Sequence, residues 1–178
     1  MSKDMQAVFA GFGGQGTLFS GKVVAYAGLI EGREVSWFPS YGPEMRGGTA
    51  NCSVTVSDGL IGSPLVTEPD AVIAMNQPSY DKFVDLVKPG GVIVADTSMV
   101  AELGQHPDVR VIGIPATQIA EEAGLKGLAN IVLLGRLFAE EPFCALETVD
   151  AALQKCIPPK KAAMLDKNRV AFKLGTEA

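Results

Sequence analysis

Hydrophobic positions follow two rhythms along this chain. Short apolar runs of strand length occur at residues 5–10, 34–39, 50–56, 71–75, 92–95 and 109–114, and each is bounded by glycine, proline or small polar residues. Between and after them the apolar positions space out at helical intervals. From Thr17 the residues Leu18, Val23, Val24, Ala27 and Ile30 suit one broad helix face, and Asn76-Gln77-Pro78 leads into a helix through Tyr80, Phe83 and Val87. That helix stops at Lys88-Pro89-Gly90-Gly91.

Beyond residue 116 the pattern is nearly all helical. Helices are expected at 117–123, at 129–139 on the anchors Ile131, Leu134, Leu137 and Phe138, at 147–155, and at 160–174. Gly124 to Gly127 and Ile157-Pro158-Pro159 punctuate them, and the last helix interleaves Ala163, Met164, Lys167, Val170 and Leu174 with charge. Between residues 40 and 49 three glycines and a proline forbid a helix. A parallel crossover needs about a dozen or more residues, so the strand at 50–56 is expected to return antiparallel. Asp58-Gly59 between Val54–Ser57 and Leu60–Ser63 then carries a two-residue hairpin signal. The expected fold is α/β: a Rossmann-like three-layer arrangement with a mixed sheet and a helical C-terminal tail, in one domain spanning residues 1–178 with 117–178 mainly helical.

The first strand runs into Gly11-Phe12-Gly13-Gly14-Gln15-Gly16 and then a helix. In a strand–G-x-G-x-x-G–helix unit, one glycine makes the tight turn, one lets backbone approach a diphosphate and one lets helix pack on strand. Thr17 is a candidate helix cap, Gln15 adds side-chain donors, and the helix start is a seat for an anion. A dinucleotide unit also needs an acid at the end of its second strand to hold a ribose, and Trp37-Phe38-Pro39 supplies none, which disfavours NAD.

Charge and cysteine content narrow the chemistry. With 15 basic and 20 acidic residues the net charge is −5, and there is no basic run to attract nucleic acid. No segment reaches the roughly 20 apolar residues of a membrane span, so no membrane contact and a cytoplasmic location are expected. Cys52, Cys144 and Cys156 are odd in number and far apart, so this chain alone builds neither a disulfide framework nor a zinc or four-cysteine iron–sulfur site. They are expected as buried free thiols. His106, the one histidine, has no sequence partner for acid–base work and is expected at the surface.

A second loop concentrates polar chemistry: Ser40, Tyr41, Gly42, Pro43, Glu44, Met45, Arg46, Gly47, Gly48 and Thr49. Arginine suits bidentate recognition of carboxylate or phosphate, and neighbouring glycines let backbone N–H groups reach the same anion. Such a loop at the carboxyl edge of the second strand, beside the glycine loop, stands where open α/β sheets bind ligands.

Taken with Ala50-Asn51-Cys52, Ile61-Gly62-Ser63-Pro64 and Asn130-Ile131-Val132-Leu133-Leu134-Gly135, the two loops resemble the gamma subunit of 2-oxoacid:ferredoxin oxidoreductases over nearly the whole chain. The resemblance implies a multi-subunit enzyme that oxidatively decarboxylates a 2-oxoacid to an acyl-CoA, with ferredoxin as electron acceptor. Thiamine diphosphate and iron–sulfur clusters are then held by partner alpha, beta and delta subunits, and this chain is not redox-active alone. In fused relatives the corresponding domain helps to bind coenzyme A, so this chain is expected to hold no cofactor alone. It is expected to offer Gly11, Gly13, Gly14, Gln15, Gly16, Thr17, Ser40, Tyr41, Gly42, Arg46, Gly47 and Gly48 as binding residues, the glycine loop for a diphosphate and Arg46, Gly47 and Gly48 for a second anionic group or the partner subunit. Among substrates the chain looks most like the 2-oxoglutarate-using members, with branched-chain 2-oxoacids, pyruvate and indolepyruvate as competitors. The alternative is a stand-alone nucleotide-binding or regulatory module.

Overall fold

A computed structural model of the protein describes residues 4–40 and 49–178. In chain order the elements are β1 (Met5–Phe12), α1 (Thr17–Ile30), β2 (Glu34–Ser40), β3 (Thr49–Ser57), β4 (Ala71–Ala74), α2 (Gln77–Phe83), β5 (Val92–Asp96), β6 (Arg110–Ile114), α3 (Ala116–Glu122), α4 (Ala129–Glu140), α5 (Leu146–Cys156) and α6 (Ala163–Glu177). The six strands form one mixed sheet in the order β2-β3-β1-β4-β5-β6. β1, β4, β5 and β6 are parallel, while β3 runs antiparallel to both β1 and β2.

Burial explains the unbroken apolar runs. Alternate residues of β1 face opposite layers: Met5, Ala7 and Phe9 join a core with α1, α3, α4, α5 and α6, whereas Val8 and Ala10 join Tyr80, Phe83, Val84 and Val87 on the other face. A strand covered on both faces has no polar alternation to show. The expected three layers and mixed sheet are thus present, and α3 to α6 form the helical C-terminal part. The Asn76 side chain caps α2 by accepting from the Ser79 N–H at 2.8 Å, and Gly90, at φ 82°, helps to turn the chain before β5.

Three expectations are corrected. First, residues 60–63 form no strand. β3 has β1 on one side and β2 on the other, with Val56 opposite both Met5 and Val35, so a strand after Asp58-Gly59 has no free edge to join. Second, α1 buries Val23, Val24 and Ala27 as expected, but glycines also form its contact with the sheet. Gly21 lies over Cys52 and Val54, and Gly28 over Val35 and Val56, while Leu18 is half-buried and Ile30 is exposed. Third, α6 buries Asn168, Ala171, Phe172 and Gly175, leaving Val170 half-exposed and Met164 at the surface. A helix packed this closely uses glycine and alanine, which hydrophobic periodicity does not register.

Candidate functional site

The glycine loop sits at a change of direction in the sheet. The helix that follows β1 covers one face, the helix that follows β4 covers the other, and the crevice between the carboxyl ends of these adjacent strands is the usual ligand position in open α/β sheets. The loop closes as a tight turn, with Gln15 N–H donating to Phe12 O at 3.2 Å, and Gly14 and Gly16 have φ of 91° and 83°. Both values favour glycine.

Two side chains clamp this loop from different elements. Gln15 Oε1 accepts from Phe12 N–H at 2.6 Å and from Asn76 Nδ2 at 3.4 Å, and its Nε2 donates to Met75 O at 3.1 Å. The Gln15 amide thus bridges the loops after β1 and β4, with one of its two Nε2 hydrogens given to Met75 O. From the opposite side, Asn130 Nδ2 donates to Gly16 O at 3.0 Å and to Ser20 Oγ at 3.2 Å. Thr17 does not cap α1: Gly16 occupies the cap position, no side chain supplies a capping bond, and Thr17 is buried.

This geometry divides the glycines by role. A Cβ on Gly11 would lie 2.7 Å from Gln15 Oε1, and one on Gly16 would lie 2.6 Å from Asn130 Nδ2, so these two serve close packing. Among the described residues, Gly13 and Gly14 have nothing within 4 Å of such a Cβ. Behind them, the N–H groups of Thr17, Leu18 and Phe19 precede the first intrahelical bond, from Ser20 N–H to Gly16 O. Uncapped donors, the positive end of a 14-residue helix and open glycines are together an arrangement that can receive an anion.

Two hollows flank that seat. One of about 210 Å³ is lined by Gly14, Gln15, Met75, Thr117, Glu121 and Lys126. The other, about 570 Å³, is mostly apolar and includes Gly16, Phe19, Leu128, Ile157 and Met164 together with Asn130, Asn168 and Lys161. Lys126 and Lys161 are both exposed, so each hollow carries a lysine at its rim. A polar cavity of about 370 Å³ lies at the opposite edge of the sheet, where Lys88 is paired with Asp70 at 3.1 Å.

The thiols are not set up as nucleophiles. Burial pushes Cys52 and Cys144 up to about 12 and Cys156 up to about 11. Cys52 and Cys144 are buried as expected, and Cys156 is half-buried. His106 Nδ1 lies 3.5 Å from Asp85, and its ring stands edge-on to Tyr80, which accounts for the residue by local packing. Among the described residues no group of three or more His, Cys, Asp or Glu is arranged to hold a metal ion, and no helix is long and apolar enough to cross a membrane.

Of the sequence candidates, Gly11, Gly13, Gly14, Gln15, Gly16 and Thr17 come together in this loop. Ser40 ends β2 opposite Asn51, and Thr49 at the start of β3 pairs with Phe12, so the strands bracketing the second loop reach the same edge of the sheet. Tyr41, Gly42, Arg46, Gly47 and Gly48 lie outside the described residues. Asn130, Asn168, Lys126 and Lys161 are additions that the sequence reading missed. A polar residue opening the apolar run of α4 was the available signal for Asn130. The argument against NAD also strengthens, because β3 separates β2 from β1 and removes the neighbouring strand end where a ribose acid would stand.

Comparison with known proteins bears on this site. The family model described as pyruvate ferredoxin/flavodoxin oxidoreductase matches residues 6–178. Ketoisovalerate oxidoreductase subunit VorA of Methanothermobacter marburgensis is 44% identical over 77% of this chain, which spans only 28% of that relative's length. 2-Oxoglutarate synthase subunit KorC of Methanocaldococcus jannaschii is 37% identical over 94% of this chain and 90% of its own. Among solved structures, the keto/oxoacid ferredoxin oxidoreductase gamma subunit of Geobacter sulfurreducens superposes with a TM-score of 0.84 at 30% identity, covering 97% of this chain and 96% of that one. A 2-oxoglutarate:ferredoxin oxidoreductase of Magnetococcus marinus, solved with 2-oxoglutarate, coenzyme A and succinyl-CoA bound, superposes at 0.85 with 28% identity over 99% of this chain and 31% of its own.

Proposed function

This chain belongs to the pyruvate ferredoxin/flavodoxin oxidoreductase family, and from that premise we propose that it is the gamma subunit of a multi-subunit 2-oxoacid:ferredoxin oxidoreductase of the 2-oxoglutarate type. The assembly would convert a 2-oxoacid and coenzyme A to acyl-CoA and carbon dioxide, passing two electrons to ferredoxin. The carrying observation is the near end-to-end match to a separate chain of a 2-oxoglutarate synthase, 94% of this protein against 90% of that one. Thiamine diphosphate and iron–sulfur clusters would belong to partner alpha, beta and delta subunits, in keeping with the three scattered, high-pKa cysteines here.

The contribution of this chain is binding rather than bond-making. In this reading the diphosphate of coenzyme A sits over Gly13 and Gly14 and accepts from the N–H groups at the start of α1, with Lys126 adding charge from one rim. Gly11, Gln15, Gly16 and Thr17 hold the seat's shape. Ser40, Tyr41, Gly42, Arg46, Gly47 and Gly48 remain candidates for a second anionic group or a partner subunit.

The test is anaerobic purification of the tagged chain from its native host, followed by assay for 2-oxoacid- and coenzyme A-dependent reduction of a viologen dye across several 2-oxoacids. Co-purifying thiamine- and cluster-bearing chains with highest activity on 2-oxoglutarate is the expected outcome. A chain that emerges alone, inactive and monodisperse would overturn it and leave the stand-alone nucleotide-binding module.

A further inference from the structure

The two edges of the sheet are protected unequally. At one edge β6 opens with Arg110, which pairs with Glu140 and Glu141. At the other edge β2 pairs only with β3 among the described residues, and between Glu34 and Ser40 it carries no charge. Its two aromatic side chains are partly exposed, Trp37 at 38% and Phe38 at 43%. Charge on the strand is a common guard against edge-to-edge pairing, so an aromatic, uncharged edge is one that another strand can join.

Backbone direction along β2 follows from its neighbours. Gln6 O and Ala10 O accept from Asp70 N–H and Met75 N–H, so the even residues of β1 turn their backbone groups to β4, and Met5, Ala7 and Phe9 turn theirs to β3. Phe9 stands opposite Cys52, which therefore directs its N–H and C=O to β1. Pro39 lies on the far side of Cys52, so Pro39, Trp37 and Val35 direct their backbone groups outward. A proline is tolerated there because its missing N–H faces away from the ladder. The outer edge thus offers N–H at Val35 and Trp37 and C=O at Val35, Trp37 and Pro39.

These groups are self-complementary. When two β2 strands pair antiparallel with the two-fold axis at Ser36, Val35 of each copy faces Trp37 of the other, and every outward N–H meets an outward carbonyl. Pro39 then lies beyond the start of the other β2 and needs no donor. Moving the axis to Trp37 would set Val35 O against the proline nitrogen, which has nothing to donate. The side chains favour the same register. Val35 and Trp37 share the α1 face, because they pair with Val56 and Val54 of that core, so each indole meets a β-branched partner across the seam. On the other face Ser36 meets Ser36 and Glu34 meets Phe38, so no like charges are opposed.

We propose that the outer edge of β2 pairs with β2 of a second copy of this chain about Ser36, joining two six-stranded sheets into one continuous sheet. The axis stands normal to the sheet, so both copies of α1 flank the seam on one face. Exposed Leu29, the neighbour of the Gly28 that covers Val35, adds to the apolar contact there. β2 runs parallel to β1, so the carboxyl edges of the two copies point in opposite directions and neither glycine loop lies at the seam. The inference goes beyond the proposed function and does not rest on the glycine loop. In a multi-subunit enzyme the seam would join two assemblies through this chain.

Sedimentation and disulfide trapping of the full-length chain test the seam. The parent is expected as a dimer at micromolar concentration. Ser36→Lys, which sets two ammonium groups against each other on the axis, should weaken dimerisation at least about tenfold. Ser36→Cys should form an intermolecular disulfide under mild oxidation, since a non-hydrogen-bonded antiparallel pair holds its Cα atoms about 4.5 Å apart. Glu34→Cys, on the same face but about 14 Å from its own copy, should not. A monomeric parent would overturn the proposal, as would a dimer that Ser36→Lys leaves intact. Equal trapping by Ser36→Cys and Glu34→Cys would overturn it too, because it reports random collision. The Ser36→Cys link is also expected when the chain is purified with its partners, where a β2 edge occupied by a different chain would block it and overturn the proposal.

Discussion

The glycine loop after β1 and the crossing of α4 with α6 both depend on missing side chains, but for opposite purposes. At the crossing, a Cβ on Gly135 would fall 2.1 Å from Phe172 O and one on Gly175 would fall 1.9 Å from Val132 O, so two helix backbones touch where a side chain would stand. In the loop, Gly13 and Gly14 leave space that none of the described residues fills. Packing density is the purpose in the first region, and in the second the open glycines leave room for the anion proposed above. The same residue type thus marks core and site, and only its neighbours distinguish them.

Substitutions sharpen this contrast, beginning with the most severe. Gly175→Leu should prevent stable folding or lower stability by roughly 3 kcal/mol or more, because the obstructing atoms are backbone and cannot turn aside. Absence of a cooperative thermal transition, or a Tm far below the parent's, is the expected observation. Gly16→Ala should cost about 2 kcal/mol, combining a left-handed φ of 83° with a clash against Asn130, and urea unfolding should report it. If instead Gly16→Ala were neutral, the clamp between Asn130 and the loop would not be the packing element described above.

Gly13→Ala is the counterpart. Its Cβ meets nothing within 4 Å and its φ is not left-handed, so stability should change by no more than about 0.5 kcal/mol. Pyrophosphate affinity should nevertheless fall, since the added methyl occupies the approach to the proposed anion seat. A stability loss comparable with that at Gly16 would erase the distinction between packed and open glycines within the loop.

The smallest effect concerns the α5–α6 contact. A hydrogen bond from Arg169 holds the Asp150 carboxyl below the usual carboxylate range. Because the folded-state pKa is depressed, this pair stabilises the protein above roughly pH 4 and is lost as pH falls through the lower folded value. Both side chains are more than a third exposed, so Asp150→Asn should cost about 0–1 kcal/mol at neutral pH. The variant should also show a shallower fall in Tm on acidification than the parent.

Local patterns made most of the fold legible. β1, the glycine turn and α1 follow one another within 26 residues, the Asn76 cap announces α2, and the buried runs of β4 and β5 read as strands because both their faces are covered. The strand expected at 60–63 failed for a reason no local pattern contains, namely that both edges of β3 are already occupied. The expected face of α1 held at Val23, Val24 and Ala27 but missed Gly21 and Gly28, and that of α6 missed Asn168, Phe172 and Gly175, because close helix approach also buries small and polar residues that hydrophobic spacing does not count.

Residue order alone therefore settled the α/β rhythm, the position of the glycine turn at a strand–helix junction, and the lack of cysteines for a cluster. These follow from interactions within a few neighbours, where propensity, turn chemistry and burial period act directly. Tertiary structure decided that β3 separates β2 from β1, that Gln15 is tied to the loop after β4, and that Asn130 holds Gly16 from 114 residues away. Such contacts bring together side chains whose spacing along the chain carries no period. Their existence depends on which strand edges and helix faces remain free once the core has closed.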